Sequence, residues 1–435
     1  MKNLKLHWLI VGLMLSVVLI GCSSQSGGSG GEDKGVTIEF MHTSVEQERL
    51  DVINGLISKF EEENPDITID PVVVEESNLT TKIVTLAQSG ELPEVIEVGQ
   101  DYAKVMDKDA LIDTEAVNEV IGNIGGNNYY EGALKLVRTE DGESYRGVPI
   151  SGWVQGIWYD KEMLASKGFE EPQSWEEVKE VAKAFTDVGN QEYGIALPTV
   201  ENTFSEQAFS QFALSNNANI LNSEGEITLD TPEMQEALSF YKDLAQYTMP
   251  GSNGVTEVKD AFMNGTAPMA MYSTYLLPAV YEAGKAENLG YAIPNEEQEA
   301  VYGTVSSLTI PAGLEDKQKE AAQTFIEFLS EGENATEYVL MSPGGAQPVS
   351  KNVVENETYQ SNEVIQAFGD LPTEIAESFN EIKVFGLVDD KNYVKMGDIT
   401  SSNAIPLMIN DAVVGGASVD EAMQTAKDQL DKVVD

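Results

Sequence analysis

The sequence predicts an α/β fold that is built around parallel strands and divided into two lobes. Short runs in which apolar and polar residues alternate are separated by longer runs with apolar residues at helical spacing. This order of strands and helices is typical of parallel sheets with right-handed crossovers. At 435 residues, the chain is too long for one ordinary core and suits two lobes of roughly 150–200 residues each.

The first part of the body shows the alternation most clearly. Asn64-Pro65 ends the first predicted helix, and Gly90 closes the second, as expected for residues that stop helices. In chain order, the predicted elements are a strand at 36–41, a helix at 46–63, a strand at 67–74, a helix around Leu79, Ile83 and Leu86, and a strand at 95–98.

The α/β pattern continues to the end of the chain. Ser174 with Glu177, and Ser418 with Glu421, have the spacing of capping boxes, and Thr231-Pro232 is a typical helix start. The later predicted elements are strands at 193–197, 269–272, 291–294 and 303–311, and helices at 231–244, 258–264 and 316–330.

The amino-terminal residues predict a lipoprotein signal and a tether. A short cationic start and an apolar run, Leu6–Ile20, have the proportions of a secretory signal. The single cysteine of the chain, Cys22, follows Gly21 at the end of this run, which resembles the lipobox of bacterial lipoproteins. We therefore expect a signal peptide at 1–21, lipidation of Cys22, and a flexible tether at 22–35 rich in Ser and Gly.

Composition excludes several classes of function. With 26 Lys and Arg against 73 Asp and Glu, the net charge is −47, which is incompatible with nucleic-acid binding. The chain has one cysteine and two histidines, of which only His42 lies beyond the signal. It therefore offers neither a Cys/His metal cluster nor a Cys–His nucleophilic pair, and we predict no cofactor.

An ordered set of short motifs resembles the sugar-binding family of ABC-importer solute-binding proteins that includes maltose-binding protein. The motifs run through essentially the whole mature chain, at 60–65, 86–93, 147–151, 158–162, 261–271, 303–307, 321–329 and 344–348. The resemblance implies a type II periplasmic-binding-protein-like fold, with a hinged cleft and three chain crossings. Lobe one would comprise 36–151 plus 302–349, and lobe two 152–301 plus 350–435.

The resemblance also implies what the protein does. It would be a monomeric, membrane-anchored component at the extracellular face, would bind a carbohydrate between its lobes, and would deliver it to an ABC permease without catalysis. Sugars expose C–H faces that pack on aromatic rings and hydroxyls that pair with amides and carboxylates. The predicted ligand-binding residues are Trp153, Gln155, Tyr275, Asp101, Gln100, Glu46, Ser44, Gly303 and Ser306.

Two alternatives remain open. The same fold could bind glycerol-3-phosphate, an amino sugar or another small polar solute; a phosphate would need Arg or Lys in the cleft, and Arg146 is the nearest candidate. The second alternative is a secreted glycoside hydrolase, although no motif isolates a catalytic carboxylate pair. Trp158 is expected in the core. Residues 396–405 lack the aromatic ring that some relatives place there, which indicates a different or smaller sugar than a malto-oligosaccharide.

Overall fold

The computed structural model describes residues 35–433, so the predicted signal peptide, Cys22 and all but the end of the tether lie outside the described residues. No helix within 35–433 is long and apolar enough to cross a membrane. The strands are β1 (Val36–His42), β2 (Ile67–Val73), β3 (Val95–Gly99), β4 (Val148–Asp160), β5 (Met269–Ser273), β6 (Leu289–Ala292), β7 (Tyr302–Thr309), β8 (Leu387–Val388) and β9 (Lys391–Asn392).

The helices surround these strands and make up most of the fold. They are α1 (Gln47–Glu63), α2 (Glu76–Ser89), α3 (Gln100–Lys108), α4 (Thr114–Ile124), α5 (Glu131–Val137), α6 (Lys161–Ser166), α7 (Trp175–Phe185), α8 (Thr203–Ser215), α9 (Pro232–Leu244), α10 (Val255–Met263), α11 (Leu277–Glu282), α12 (Asp316–Ser330), α13 (Gly332–Val339), α14 (Lys351–Val354), α15 (Glu357–Ser361), α16 (Glu363–Ala367), α17 (Leu371–Glu377), α18 (Met396–Ser401), α19 (Ala404–Val413) and α20 (Val419–Val433).

Seven strands form one mixed sheet in the order β2-β1-β3-β7-β4-β5, with β6 also paired to β4. The β1–β2 and β1–β3 pairs are parallel, as predicted. By contrast, β7 is antiparallel to both β3 and β4. The parallel character expected for the sheet therefore holds only for its first three strands.

The long strand β4 joins two hydrophobic cores. Its first half pairs with β7, and its second half pairs with β5 and β6. Val148, Ile150, Val154 and Trp158 pack into one large buried cluster, whereas Ile157 and Tyr159 pack into another. The strand thus contributes to both cores, and its second half contributes residues to each of them in alternation.

The helix boundaries follow from local sequence chemistry. The Thr231 hydroxyl accepts the Met234 N–H at 3.2 Å, and Pro232 begins α9. Gly90 ends α2 with φ +73°, a left-handed conformation that favours glycine. The predicted capping box before α20 is complete, because Glu421 accepts the Ser418 N–H at 3.0 Å and Ser418 accepts the Glu421 N–H at 3.2 Å.

Three local expectations need correction. Residues 193–197 form an isolated bridge at Ala196 rather than a strand, because their N–H groups bond to scattered partners around Tyr247 and Met269. The capping box at α7 is half formed, since Glu177 accepts the N–H of Gln173 and not that of Ser174. The strand expected at 291–294 ends at Ala292.

Candidate functional site

One face of the sheet carries most of the predicted site residues. Trp153 of β4 lies opposite Thr304 of β7, and Ser151 lies opposite Ser306. Opposed residues in an antiparallel pair share a face, and alternate residues along each strand share it too. Trp153, Ser151 and Ser306 therefore project from one side, called here the cleft face. Two cavities open on it.

The first is the Trp153 cavity, with a volume of about 280 Å³. It collects residues from the ends of β1, β3 and β5, from the middle of β4 and β7, and from α13 and the segment that follows it. Four predicted residues line it: Ser44, Trp153, Tyr275 and Ser306. The Tyr275 side chain is 46% exposed, so its ring is available to a solute. The structure thus brings together residues that lie more than 200 positions apart.

Glu97 is the buried acid of the Trp153 cavity. It is 9% exposed, and its Oε2 atom has no hydrogen-bond partner among the described residues. Burial raises the pKa of the Glu97 carboxyl, and the nearby Tyr338 and Ser306 hydroxyls and the Arg49 charge offset this only in part. The Tyr338 hydroxyl also lines the cavity and interacts with the Glu97 carboxyl. Glu97 and Tyr338 thus form one pair of polar groups in the wall of the cavity.

Arg49 is the cation of the Trp153 cavity. Its Nη1 atom lies 3.7 Å from Oε2 of Glu46, one turn earlier on the chain. The Glu46 side chain is 60% exposed and does not line the cavity. Glu46 therefore pairs with the cation of the cavity without lining the cavity itself, and the ligand contact predicted for it stays a prediction.

The second cavity, the Glu206 cavity, has a volume of about 270 Å³ and lies beside the first. The rings of Trp153 and Tyr302 separate the two, with centroids 5.7 Å apart. Gln100 and Asp101, two further predicted residues, line this second cavity. Gln100 accepts the Val305 N–H at 3.0 Å and so continues the hydrogen-bond ladder past the end of β3.

Glu206 is the buried acid of the Glu206 cavity. The residue is 7% exposed; its Oε1 atom accepts the Thr400 hydroxyl at 2.9 Å, while Oε2 has no partner among the described residues. Burial raises the pKa of Glu206 to about 7, Thr400 lowers it in part, and the charge of Asp101 raises it further. Lys104, itself 4% exposed, lies 3.1 Å from Asp101.

Besides Glu46, two predicted residues line neither cavity. Gln155 shares the cleft face but is fully buried, and its Oε1 atom accepts the Gln211 amide of α8 at 3.0 Å. Gly303 lies opposite Val154, on the other face; a Cβ atom there would meet Ile382 Cδ1 at 2.5 Å. Gly303 is therefore closely packed on this side, and the ligand contact predicted for it stays a prediction.

Arg146, considered above for phosphate, is a structural residue. It is fully buried, and its Nε atom donates to Asp107 at 2.8 Å. Its two remaining nitrogens donate to the carbonyls of Arg138 and Asn392. Trp158 is fully buried as predicted, and its Nε1 atom donates to the Tyr272 carbonyl at 2.7 Å.

The cleft also contains residues that the sequence analysis missed. Glu97 is the one acid in the apolar run of β3, and Arg49 is one of only three arginines; both features were available as signals. Tyr302 precedes the predicted Gly303 and lies opposite Gln155. Glu206 carried no such signal, because nearly the whole of α8 is buried and shows no polar face.

A larger concavity of about 690 Å³ lies elsewhere, lined by Tyr130, Lys351 and several glutamates. It lacks an exposed tryptophan and contains none of the unpaired buried polar atoms, so the two cleft cavities remain the better site. Within residues 35–433, no group of His, Cys, Asp and Glu side chains could hold a metal ion.

The fold thus combines a long strand that contributes to two hydrophobic cores with two cavities lined by aromatic and carboxylate side chains. Solved structures share this fold. The sugar-binding protein MalE from Xanthomonas citri superposes with a TM-score of 0.76 at 22% identity, covering 92% of this chain and 97% of that one. The cyclic alpha-maltosyl-1,6-maltose binding protein from Arthrobacter globiformis gives a TM-score of 0.75 at 18% identity, covering 92% and 99%.

Residues 55–367 match the family model of the bacterial extracellular solute-binding proteins, and the chain belongs to that family. YcjN of Escherichia coli (strain K12), a proposed ABC transporter periplasmic-binding protein, is 51% identical over 423 residues, covering 97% of this chain and 98% of that protein. The family and these relatives are binding proteins rather than enzymes. The prediction of a non-enzymatic solute-binding protein is therefore confirmed, and the hydrolase alternative is not supported.

Proposed function

We propose that this protein captures a carbohydrate in the cleft and delivers it to the permease of an ABC importer. The observation that carries the proposal is the Trp153 cavity, in which an accessible tryptophan and tyrosine lie beside a buried carboxylate with an unpaired oxygen. Aromatic faces and hydrogen-bond acceptors in one cavity suit the C–H faces and hydroxyls of sugars. The names of the Escherichia coli and Xanthomonas citri relatives agree with this function.

The lobe boundaries and the membrane anchor belong to the same proposal. We place lobe one at 36–151 plus 302–349 and lobe two at 152–301 plus 350–435. The split pairing of β4 and the bridge between Gly152 and Gln347 support chain crossings near the cleft. Closure over the solute would then stabilise the form that docks on the permease. Lipidation at Cys22 would hold a monomer at the outer face of the membrane.

Tryptophan fluorescence provides a direct test. Trp153 lines the cleft, whereas Trp158 is fully buried and Trp175 is 4% exposed. A saturable fluorescence change during titration of residues 35–435 with sugars should therefore report on Trp153. Trp153→Ala should abolish the change and weaken binding at least tenfold by calorimetry, and Trp153→Phe, which keeps a ring, should retain most of the affinity.

Tyr281→Ala provides a control, because this half-buried ring belongs to α11 and lines neither cavity. The affinity of the Tyr281→Ala variant for the sugar should equal that of the wild type. Binding that is unchanged in Trp153→Ala would show that the solute does not use this cavity. Release of smaller sugars from an oligosaccharide would contradict the transport proposal.

A further inference from the structure

We infer that residues 386–395, called here the strap, hold the two lobes together outside the cleft, and that opening of the cleft requires the strap to release residues 135–146. The inference uses the lobe boundaries proposed above but not the identity of the solute. No residue of the strap lines either cleft cavity. The strap therefore acts on solute binding without contacting the solute.

The strap is a tight hairpin. Its two short strands, β8 and β9, pair antiparallel. The turn residues Asp389 and Asp390 have φ of +49° and +64°, which is the left-handed conformation of a two-residue hairpin turn. A hairpin of two short strands is only marginally stable by itself. Its position therefore depends on the contacts that it makes on either side.

On one side the strap is anchored in the second core, which also contains the buried residues of α7 and α9. Tyr393 is buried in this core, and its hydroxyl donates to the Ser223 carbonyl. The Asn219 side chain accepts the Gly386 N–H at 3.1 Å and donates to the Leu387 carbonyl at 3.2 Å. Apolar burial together with paired backbone groups makes this side the permanent attachment of the strap.

On the other side the strap holds the end of α5, which packs in the first core. The fully buried Asn392 donates its side-chain N–H to the Leu136 carbonyl at 2.8 Å. Leu136 lies in the last turn of α5, where carbonyls have no partner within the helix. The Glu140 carboxylate accepts the Val394 N–H at 2.9 Å. Apart from the half-buried Leu387, the contacts on this side are polar.

Asp390 adds ion pairs to the same polar side. Its carboxylate lies 3.7 Å from Nζ of Lys135 and 3.5 Å from Nη1 of Arg138. The Asp390 side chain is 55% exposed, so dissolved salt screens both pairs. The ion pairs of the turn use Asp390 and not its neighbour Asp389. The hold of the strap on residues 135–146 therefore depends in part on ionic strength.

These contacts cross between the proposed lobes, because residues 135–146 fall in lobe one and the strap falls in lobe two. When the lobes separate, the Leu136 carbonyl, the Glu140 carboxylate and Asp390 exchange their partners for water. The strap thus adds a fixed contribution to the stability of the form in which it is engaged, and a bound solute adds its own. The balance between the two forms is therefore set partly outside the cleft.

Distances between two spin labels test the inference without any solute. Residues 35–435 form one compact unit and contain no cysteine, since Cys22 is the single one of the chain. Glu180→Cys on α7 and Glu320→Cys on α12, both at exposed positions, place one label in each proposed lobe. Double electron–electron resonance then gives the ratio of molecules at the shorter distance to molecules at the longer one.

Asn392→Ala removes the donor to the buried Leu136 carbonyl, which water can replace only when the strap is released. The ratio of shorter to longer distances should therefore fall about tenfold. Asp390→Asn should lower the ratio about threefold at about 0.01 M salt and leave it unchanged at about 1 M salt, where the screening length is about 3 Å. Asp389→Asn, the matched control, makes the same charge change in the same turn and should keep the wild-type ratio.

Two results would overturn the inference. One is an Asn392→Ala variant whose distances equal those of the wild type, even if its free energy of unfolding is lower, because the contact would then be merely structural. The other is an equal effect of Asp390→Asn and Asp389→Asn at low salt, which remains decisive if Asn392→Ala does not fold, since both turn residues are exposed. Neither result bears on the carbohydrate proposal, which the sugar titrations decide separately.

Discussion

Glu206→Gln should make the protein more stable at alkaline pH while leaving its acid stability nearly unchanged. Glu206 is 7% exposed, and only one of its two carboxyl oxygens has a partner, the Thr400 hydroxyl at 2.9 Å. A charged carboxylate in this position is poorly solvated, whereas the glutamine amide has nearly the same shape and carries no charge. The substitution therefore isolates the cost of the charge.

The magnitude follows from the pKa of Glu206. Burial raises this pKa from 4.5 to about 7, so the folded state binds more protons than the unfolded state between these pH values. The stability that the proton provides is present below pH 4.5 and is lost as the pH rises through 7. A difference of this size corresponds to about 3 kcal/mol in the free energy of unfolding at pH 9, and to less than about 1 kcal/mol at pH 5.

Urea denaturation of the unliganded protein, followed by circular dichroism at pH 5, 7 and 9, measures the effect. The free energy of unfolding of Glu206→Gln should exceed that of the wild type by about 3 kcal/mol at pH 9, and the difference should shrink toward pH 5. Glu320→Gln, at an exposed position of α12, should show no such trend. A constant difference at all three pH values would refute the reasoning, because it would show that the charge state of Glu206 is not the cause.

His42 and Arg146 give two further predictions. Burial lowers the pKa of His42 from 6.5 to about 4, so the free energy of unfolding of the wild type should fall as the pH falls through this range. The free energy of unfolding of His42→Leu should fall by about 3 kcal/mol less. Parallel acid-unfolding curves for the two proteins would contradict this. Arg146→Met leaves Asp107 without its partner at 2.8 Å and should reduce the free energy of unfolding by about 3–5 kcal/mol, with no change in solute affinity. Weaker solute binding by a variant of normal stability would instead indicate that Arg146 contributes to solute binding.

The elements that local chemistry determines could be predicted from the sequence. The strands and helices of residues 36–99 follow from apolar periodicity, and α9 and α20 follow from their caps. Residues 193–197 have the composition of a strand, but their partners lie around Tyr247 and Met269. Because those partners come from distant parts of the chain, no local pattern distinguishes this segment from a strand.

Strand register explains why the site was only partly predicted. A shift of one residue moves a side chain to the other face of a sheet, and this is the difference between Gly303, which packs against Ile382, and Tyr302, which lines the Glu206 cavity. The alternation along β4 correctly places Gln155 on the face of Trp153. Its burial depends on Gln211 of α8, a contact between residues 56 positions apart that the sequence of β4 does not contain.

The unpaired polar atoms in the cleft connect its stability to its function. Glu97 and Glu206 each have a buried oxygen without a partner among the described residues, and such groups destabilise a fold by about 1–3 kcal/mol each. A solute that donates to one of these oxygens removes the cost of that oxygen alone. Binding energy therefore increases with the number of these acceptors that the solute satisfies.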